Sequence, residues 1–219
     1  MNNTPLALLA VGLLASPIAA NATLILRLSD GVTSIDVIDG GAGDFNGAAG
    51  AITFIGGVGA FNINVSTALG DAATAFSGIH LDSVSSSLGS GVLRVAMSET
   101  GLNFGAGPTA ITTNFGGVSG GTVSGRMYVD AADIAFSQAS LAYDSGLLGL
   151  GAFAGSDTKI FSLSSPFSMS MFVDITHSIG NATSFNFDGR ATAVPEPGSL
   201  ALLGLGLLGL GFGRRRKAN

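Results

Sequence analysis

The sequence predicts an all-β protein: an antiparallel, jelly-roll-like β-sandwich with a signal peptide before it and a single short transmembrane helix after it. Three observations lead there. Glycine is abundant, at 34 of 219 residues, and only 11% of residues are charged. That composition suits short strands and tight turns, and it denies surface helices the Glu, Lys, Arg and Gln they use. Between Thr23 and Ala193 apolar residues recur with period two, in runs bounded by Gly, Asn, Asp or Ser. No long stretch of that body has the 3.6-residue apolar period of a helix. Apolar residues make up 47% of the chain, enough to build one core of ordinary size.

Residues 1–22 read as the signal peptide. Leu6 to Ala15 is an unbroken apolar run of h-region length, too short to span a bilayer. Ala20-Asn21-Ala22 then supplies an A-x-A site, with cleavage before Thr23 or, alternatively, after Ala20. No Lys or Arg precedes the run, so the amino terminus alone carries positive charge there. A buried N-terminal helix is the other reading.

Residues 23–193 form the body. TLILRLSD turns at Gly31 into VTSIDVID, and AITFIG meets AFNINVST around Gly56, Gly57 and Gly59. FSGIHLDSVSSS and GVLRVAMSET are expected to pair through Gly89-Ser90-Gly91. TAITTNFG, GTVSGRMYVDA, FSQASLAYD, FSMSMFVDITHS and NATSFNFDGRAT continue the pattern. Asp71 to Phe76 and Ala131 to Phe136 each have room for a helical turn. Strands at this spacing, without helices between them, argue an antiparallel sandwich.

The body excludes several chemistries. With no cysteine there are no disulfides, thiolate metal sites or Cys nucleophiles. From Thr23 to Val194 thirteen acids and five bases give a formal −8, which argues against nucleic acid as a partner. Gly117-Val118-Ser119-Gly120-Gly121 fits G-x-S-x-G, and His177 comes later, with Asp144 and Asp174 in between. Ser119 leads into a strand pattern, whereas a nucleophile elbow needs a helix there. His80 and His177 lie in strand patterns and read as solvent-facing. Asp36 with Asp39, or Asp130 with Asp133, could be carboxylate pairs, although surface turns account for most Asp residues. Glu99 is the body's only glutamate. Sugar sites favour Trp and Tyr, and the chain has no Trp and only Tyr128 and Tyr143.

One stretch stands out, DGGAGDFNGAAGAITF at 39–54. Asp39, Asp44 and Asn46 put oxygen ligands of the kind Ca²⁺ takes on a Gly-rich loop. The spacing is neither that of an EF-hand nor of a nonapeptide repeat, and the same residues also make a turn. No other cofactor is indicated.

Residues 194–219 form a separate segment. Pro195-Glu196-Pro197 can continue neither strand nor helix. Leu200 to Gly213 is wholly apolar or glycine and, as a helix, would be about 21 Å long. A hydrocarbon core is about 30 Å thick, so the span is marginal without snorkelling arginines. Arg214, Arg215, Arg216 and Lys217 would stay on the cytoplasmic side. Gly204-Leu205-Gly206-Leu207-Leu208-Gly209 matches G-x-G-x-x-G but no strand precedes it, which makes it a false dinucleotide signal.

Val-Pro-Glu-Pro, a Leu/Gly-rich helix and an Arg-rich end, in that order, resemble the PEP-CTERM sorting signal of bacterial exported proteins. The resemblance implies export through the general secretory route, with a signal peptidase acting at Ala20 to Ala22. It implies transient inner-membrane anchoring and removal of the tail by an exosortase-type enzyme. Pro195, Glu196 and Pro197 would then be the recognition element and Arg214 to Lys217 the retention charge. The family occurs in bacteria that make exopolysaccharide, floc and biofilm matrix. The 39–54 stretch also resembles a segment of a body type that recurs among such proteins. The expectation is an exported, exosortase-processed cell-surface or matrix protein without enzymatic activity. Its role would be structural or adhesive and linked to exopolysaccharide or biofilm. A carbohydrate- or Ca²⁺-binding lectin-like module is the alternative, and a secreted hydrolase ranks after it.

Overall fold

The computed structural model describes residues 23–69, 76–103 and 107–194, together with Gly198, Gly204 and Leu205. The expected signal peptide and Asp71 to Ala75 lie outside them, as do Pro195 to Pro197 and Arg214 to Lys217. Twelve strands succeed one another: β1 (Thr23–Ser29), β2 (Ser34–Ile38), β3 (Ala51–Val58), β4 (Phe61–Leu69), β5 (Phe76–Ser87) and β6 (Gly91–Leu102), then β7 (Gly107–Ser119), β8 (Thr122–Asp130), β9 (Ser140–Asp144), β10 (Gly151–Leu163), β11 (Phe167–His177) and β12 (Ala182–Ala193).

They form two six-stranded antiparallel sheets. The first has the order β2-β1-β6-β11-β8-β9 and the second β10-β7-β12-β5-β4-β3. The pairs β7 with β10, β6 with β11 and β5 with β12 are nested, one inside the next. Rolling up one long hairpin gives that nesting, as in a jelly roll.

Two local expectations change. FSGIHLDSVSSS and GVLRVAMSET are not a hairpin: β5 belongs to the second sheet and β6 to the first. The Gly89–Gly91 turn carries the chain between sheets, and each strand pairs along most of its length with a partner far away in sequence, β5 with β12 and β6 with β11. Ala131 to Phe136 holds reverse turns and no helix, with Asp133 and Phe136 at positive φ. Asp133 Oδ1 accepts the Gly101 N–H at 2.7 Å, and Phe136 N–H donates to Ser98 Oγ at 3.0 Å. These bonds fasten the segment across the outside of the first sheet.

Period two decides what lies between the sheets. Leu24, Leu26 and Leu28 of β1 point inward, with Met169, Met171 and Val173 of β11 beside them in the same core. Phe115 sits at the centre of the second sheet's contribution. Its ring centroid is 4.9 Å from that of Phe153, 5.9 Å from Phe185 and 4.7 Å from Phe187. Burying such a side chain is worth about 2–3 kcal/mol. Glu99 is buried, with Leu24 and Met169 as its register partners.

Candidate functional site

The outer face of the second sheet carries a trough. Strand register builds it in rows that run across β10, β7, β12 and β5. Ala154, Gly116, Asn186 and Asp82 lie side by side in one row. Two residues along, Ser156, Asn114, Asp188 and His80 form the next. On the other side, Ala152, Val118, Ser184 and Val84 form a third. The middle row is low where Gly116 and Ala154 supply almost no side chain. The result is two cavities of about 450 Å³ each that meet at Gly116 and Asn186. Four strands at about 4.8 Å spacing make the trough roughly 14 Å long.

Its two banks differ in chemistry. On one bank His80 lies between two carboxylates. Its Nε2 is 2.8 Å from Asp82 Oδ2 and its Nδ1 is hydrogen-bonded to Asp188 Oδ1. Burial works against the charged ring, but the bonds to Asp188 and Asp82 outweigh it and hold the His80 pKa above its ordinary value. Asn186 Nδ2 donates to Asp82 Oδ1 at 2.8 Å, which turns the amide carbonyl toward other partners. Asn114 is exposed, and its amide makes no hydrogen bond among the described residues. On the other bank Val118 and Val84 are more than half exposed.

The outer face of the first sheet is used differently. Phe172 and Tyr128 pack edge to face at 5.8 Å, and Phe136 lies against Phe172 at 6.4 Å. The Arg27 guanidinium sits 4.3 Å over the Phe136 ring. Asp174 takes Arg94 Nε at 2.6 Å and Arg126 Nη2 at 2.6 Å. The 131–137 segment thus spends these aromatic faces inside the protein. Tyr143 is buried against Phe187.

The other residues that the sequence singles out take up bonds of their own. Asp44 Oδ1 accepts the N–H groups of Asn46 (2.8 Å) and Thr53 (3.0 Å), and its Oδ2 accepts that of Gly40 (3.0 Å). Asp39 Oδ2 accepts the Gly50 N–H at 2.7 Å, and Asn46 Oδ1 that of Ala48 at 3.0 Å. Asp44, Asp39 and Asn46 therefore shape this loop by binding its amides, which is turn chemistry. Among the described residues no group of three or more His, Cys, Asp or Glu is placed to hold a metal ion. Asp36 is paired with Arg27 through two bonds of 2.7 Å, and Asp130 Oδ1 accepts the Ala132 N–H at 2.8 Å. Ser119 is 2% exposed, and its hydroxyl accepts the Gly121 N–H at 3.2 Å. His177 is buried, contrary to the solvent-facing expectation, because strand parity puts it with Val173 and Ile175 on the inner face of β11. Its Nε2 is 2.7 Å from Thr183 Oγ1, and burial lowers its pKa.

Sequence reasoning singles out His80 but not Asp188 or Asn186. The pair His80–Asp188 is 108 residues apart and is joined only by the β5–β12 register. The signal available was Asp82, two residues from His80 and so on the same face of a strand.

The body ends at Val194, whose N–H donates to Pro108 O at 2.8 Å just beyond β12. Gly198, Gly204 and Leu205 are helical. Among the described residues no helix is long and apolar enough to cross a membrane. The character of the C-terminal tail is decided by its pattern of Pro-Glu-Pro, apolar run and cations. Residues 193–217 match the PEP-CTERM protein-sorting motif. A PEP-CTERM motif implies an exported protein that an exosortase processes at the membrane.

No curated protein matches the chain. Among solved structures, it is similar to TmCBM61 in complex with β-1,4-galactotriose, at 7% identity over 62% of this chain and 90% of that one, with a TM-score of 0.31. It is also similar to a variant of the family 29 carbohydrate-binding module CBM29-2, at 12% identity over 80% and 92% of the two chains and a TM-score of 0.24. The isomalto-dextranase of Arthrobacter globiformis T6 complexed with panose aligns at 11% identity over 65% and 23%, with a TM-score of 0.28. Likenesses of this degree carry no ligand over to this chain.

Proposed function

We propose that this chain is an exported, exosortase-processed protein of the cell surface or extracellular matrix, with a structural or adhesive role beside exopolysaccharide. The PEP-CTERM motif at 193–217 carries the reading. Pro195, Glu196 and Pro197 are the recognition element, Leu200 to Gly213 the transient anchor, and Arg214, Arg215, Arg216 and Lys217 hold the tail at the cytoplasmic face. A signal peptidase cutting at Ala20 to Ala22 opens the route. The protein is not an enzyme. In support, Ser119 is buried, Asp174 is engaged by two arginines, and His177 is bonded to Thr183. A lectin-like role is the second reading, and the trough on the second sheet favours it.

The intact mass of the protein recovered from outside its native cells tests the first reading. The expected species begins near Thr23 and ends between Pro195 and Pro197. A species that keeps Arg214 to Lys217 makes the tail a permanent anchor and overturns exosortase processing.

A further inference from the structure

We propose that the trough across β10, β7, β12 and β5 binds a neutral polysaccharide chain, an inference that rests on the matrix reading above and gives it a site. Three features select this ligand. The first is form. Gly116 and Ala154 keep the floor low at one end of its row, Asn186 and Asp82 line the rest, and each of the two joined cavities, at about 450 Å³, is of ligand-site size. A trough roughly 14 Å long accepts a run of sugars rather than a single one.

The second is the split between the banks. A pyranose has an apolar C–H face and a rim of hydroxyls. Val118 and Val84 offer exposed apolar surface on one side. Asn114, Asn186, Ser156 and the Asp82–His80–Asp188 cluster offer donors and acceptors on the other. Side-chain amides both give and accept hydrogen bonds, as paired sugar hydroxyls require. The valines stand where an aromatic platform would serve in a tighter site, so each sugar is held weakly. Retention then depends on many contacts along a polymer.

The third is charge. On the polar bank of the trough two carboxylates share one histidine, and the body around it carries thirteen acids and five bases, a formal −8. A uronate or sulfated polymer would meet like charge there, whereas a neutral chain would not.

Affinity electrophoresis of the exported protein tests this, in gels holding the neutral polysaccharide fraction of its native matrix, with alginate as the acidic comparator. The wild type is expected to be retarded by the neutral fraction and not by alginate. Gly116→Leu should fill the floor and weaken retardation about tenfold. A Cβ at Gly116 meets nothing nearer than Phe153 O at 3.5 Å, so the strand has room for it. Should Gly116→Leu lower the melting temperature, Asn114→Ala decides, since that amide holds nothing in place; a severalfold loss is expected. Retardation by alginate in preference to the neutral fraction overturns the proposal. So does wild-type behaviour in both variants, which would leave the matrix reading standing with its site elsewhere. A wild type that the neutral fraction does not retard also overturns the proposal, while the intact-mass result still decides export and processing.

Discussion

Gly125→Ala should destabilise the sandwich out of proportion to the single methyl it adds. Gly125 lies on β8 in the first sheet, facing Phe115 across the core. A Cβ placed there would come within 2.8 Å of Cδ1 and Cε1 of the Phe115 ring and 3.0 Å of Cζ. The ring cannot swing aside. Phe153, Phe185 and Phe187 surround it at centroid distances of 4.7–5.9 Å. The glycine cannot retreat either, since its N–H is bonded to Ser145 Oγ at 2.8 Å and β8 is paired with β11 and β9. Overpacking of this kind costs about 1–3 kcal/mol, which in a body of this size lowers Tm by roughly 2–12 °C. Gly189→Ala is the control. Its Cβ would meet only the ends of the Met127 and Met171 side chains, and flexible thioether chains adapt to such a change more cheaply than a packed ring. Thermal unfolding of both variants and of Gly125→Ala/Phe115→Leu would check this. The double variant should cost clearly less than the sum of its parts, because the shorter side chain vacates the space the methyl needs. Strict additivity, or a Gly189→Ala cost equal to that of Gly125→Ala, would refute the locked-ring argument.

The two histidines should act on stability in opposite senses. The His80 pKa is raised from 6.5, so its contribution is full below that value and is lost as pH rises through the folded-state pKa. The Tm gap between wild type and His80→Ala should therefore be wider at about pH 5 than at about pH 9. The His177 pKa is lowered from 6.5, so its burial costs stability as pH falls below that value, and His177→Leu should flatten the acid side of the wild-type profile. Asp44→Ala removes the acceptor of three loop amides and should cost roughly 1–2 kcal/mol, equally in Ca²⁺ and in EDTA. A Ca²⁺-dependent gain in Tm confined to the protein that keeps Asp44 would instead restore the metal reading. Asp174→Asn weakens the bridge between Arg94 and Arg126 and should cost about 1 kcal/mol at low salt, shrinking at about 1 M NaCl.

Local period-two patterning made most strands and both one-sheet hairpins at the N-terminal end legible: β1 with β2 and β3 with β4 are where TLILRLSD and AITFIG put them. The sequence did not reveal β10. Gly151 to Leu163 is not among the strands the sequence predicts, because the polar run Ser156 to Lys159 interrupts the apolar residues on either side of it. It is an edge strand, paired only with β7, so fewer of its side chains need be apolar. Lys159 sits on its inward-pointing set with Phe153 and Phe161, and Nζ reaches Leu141 O at 3.3 Å. An inward charge at a sheet edge blunts pairing with a second copy. The trough was illegible for a related reason. No local signal tells that β5 joins β12 rather than β6, and without that register His80 and Asp188 have no connection. The sorting tail was legible because its recognition depends on linear order alone.

The tail and the trough are linked by one strand. β12 carries Asn186 and Asp188 on the trough and ends at Ala193, with Val194 bonded to Pro108 O. Eight residues of extended chain separate Asn186 from Val194, roughly 26 Å at 3.3 Å per residue. A body held at the membrane by residues 200–213 would thus present the trough well away from the lipid surface. Ligand access would then not wait for cleavage, and processing would govern where the protein goes rather than whether it binds. The tail-retaining protein in detergent and the processed protein should accordingly bind the neutral fraction with the same dissociation constant. A difference above about threefold would mean that the tail covers the trough and that removing it is an activation step.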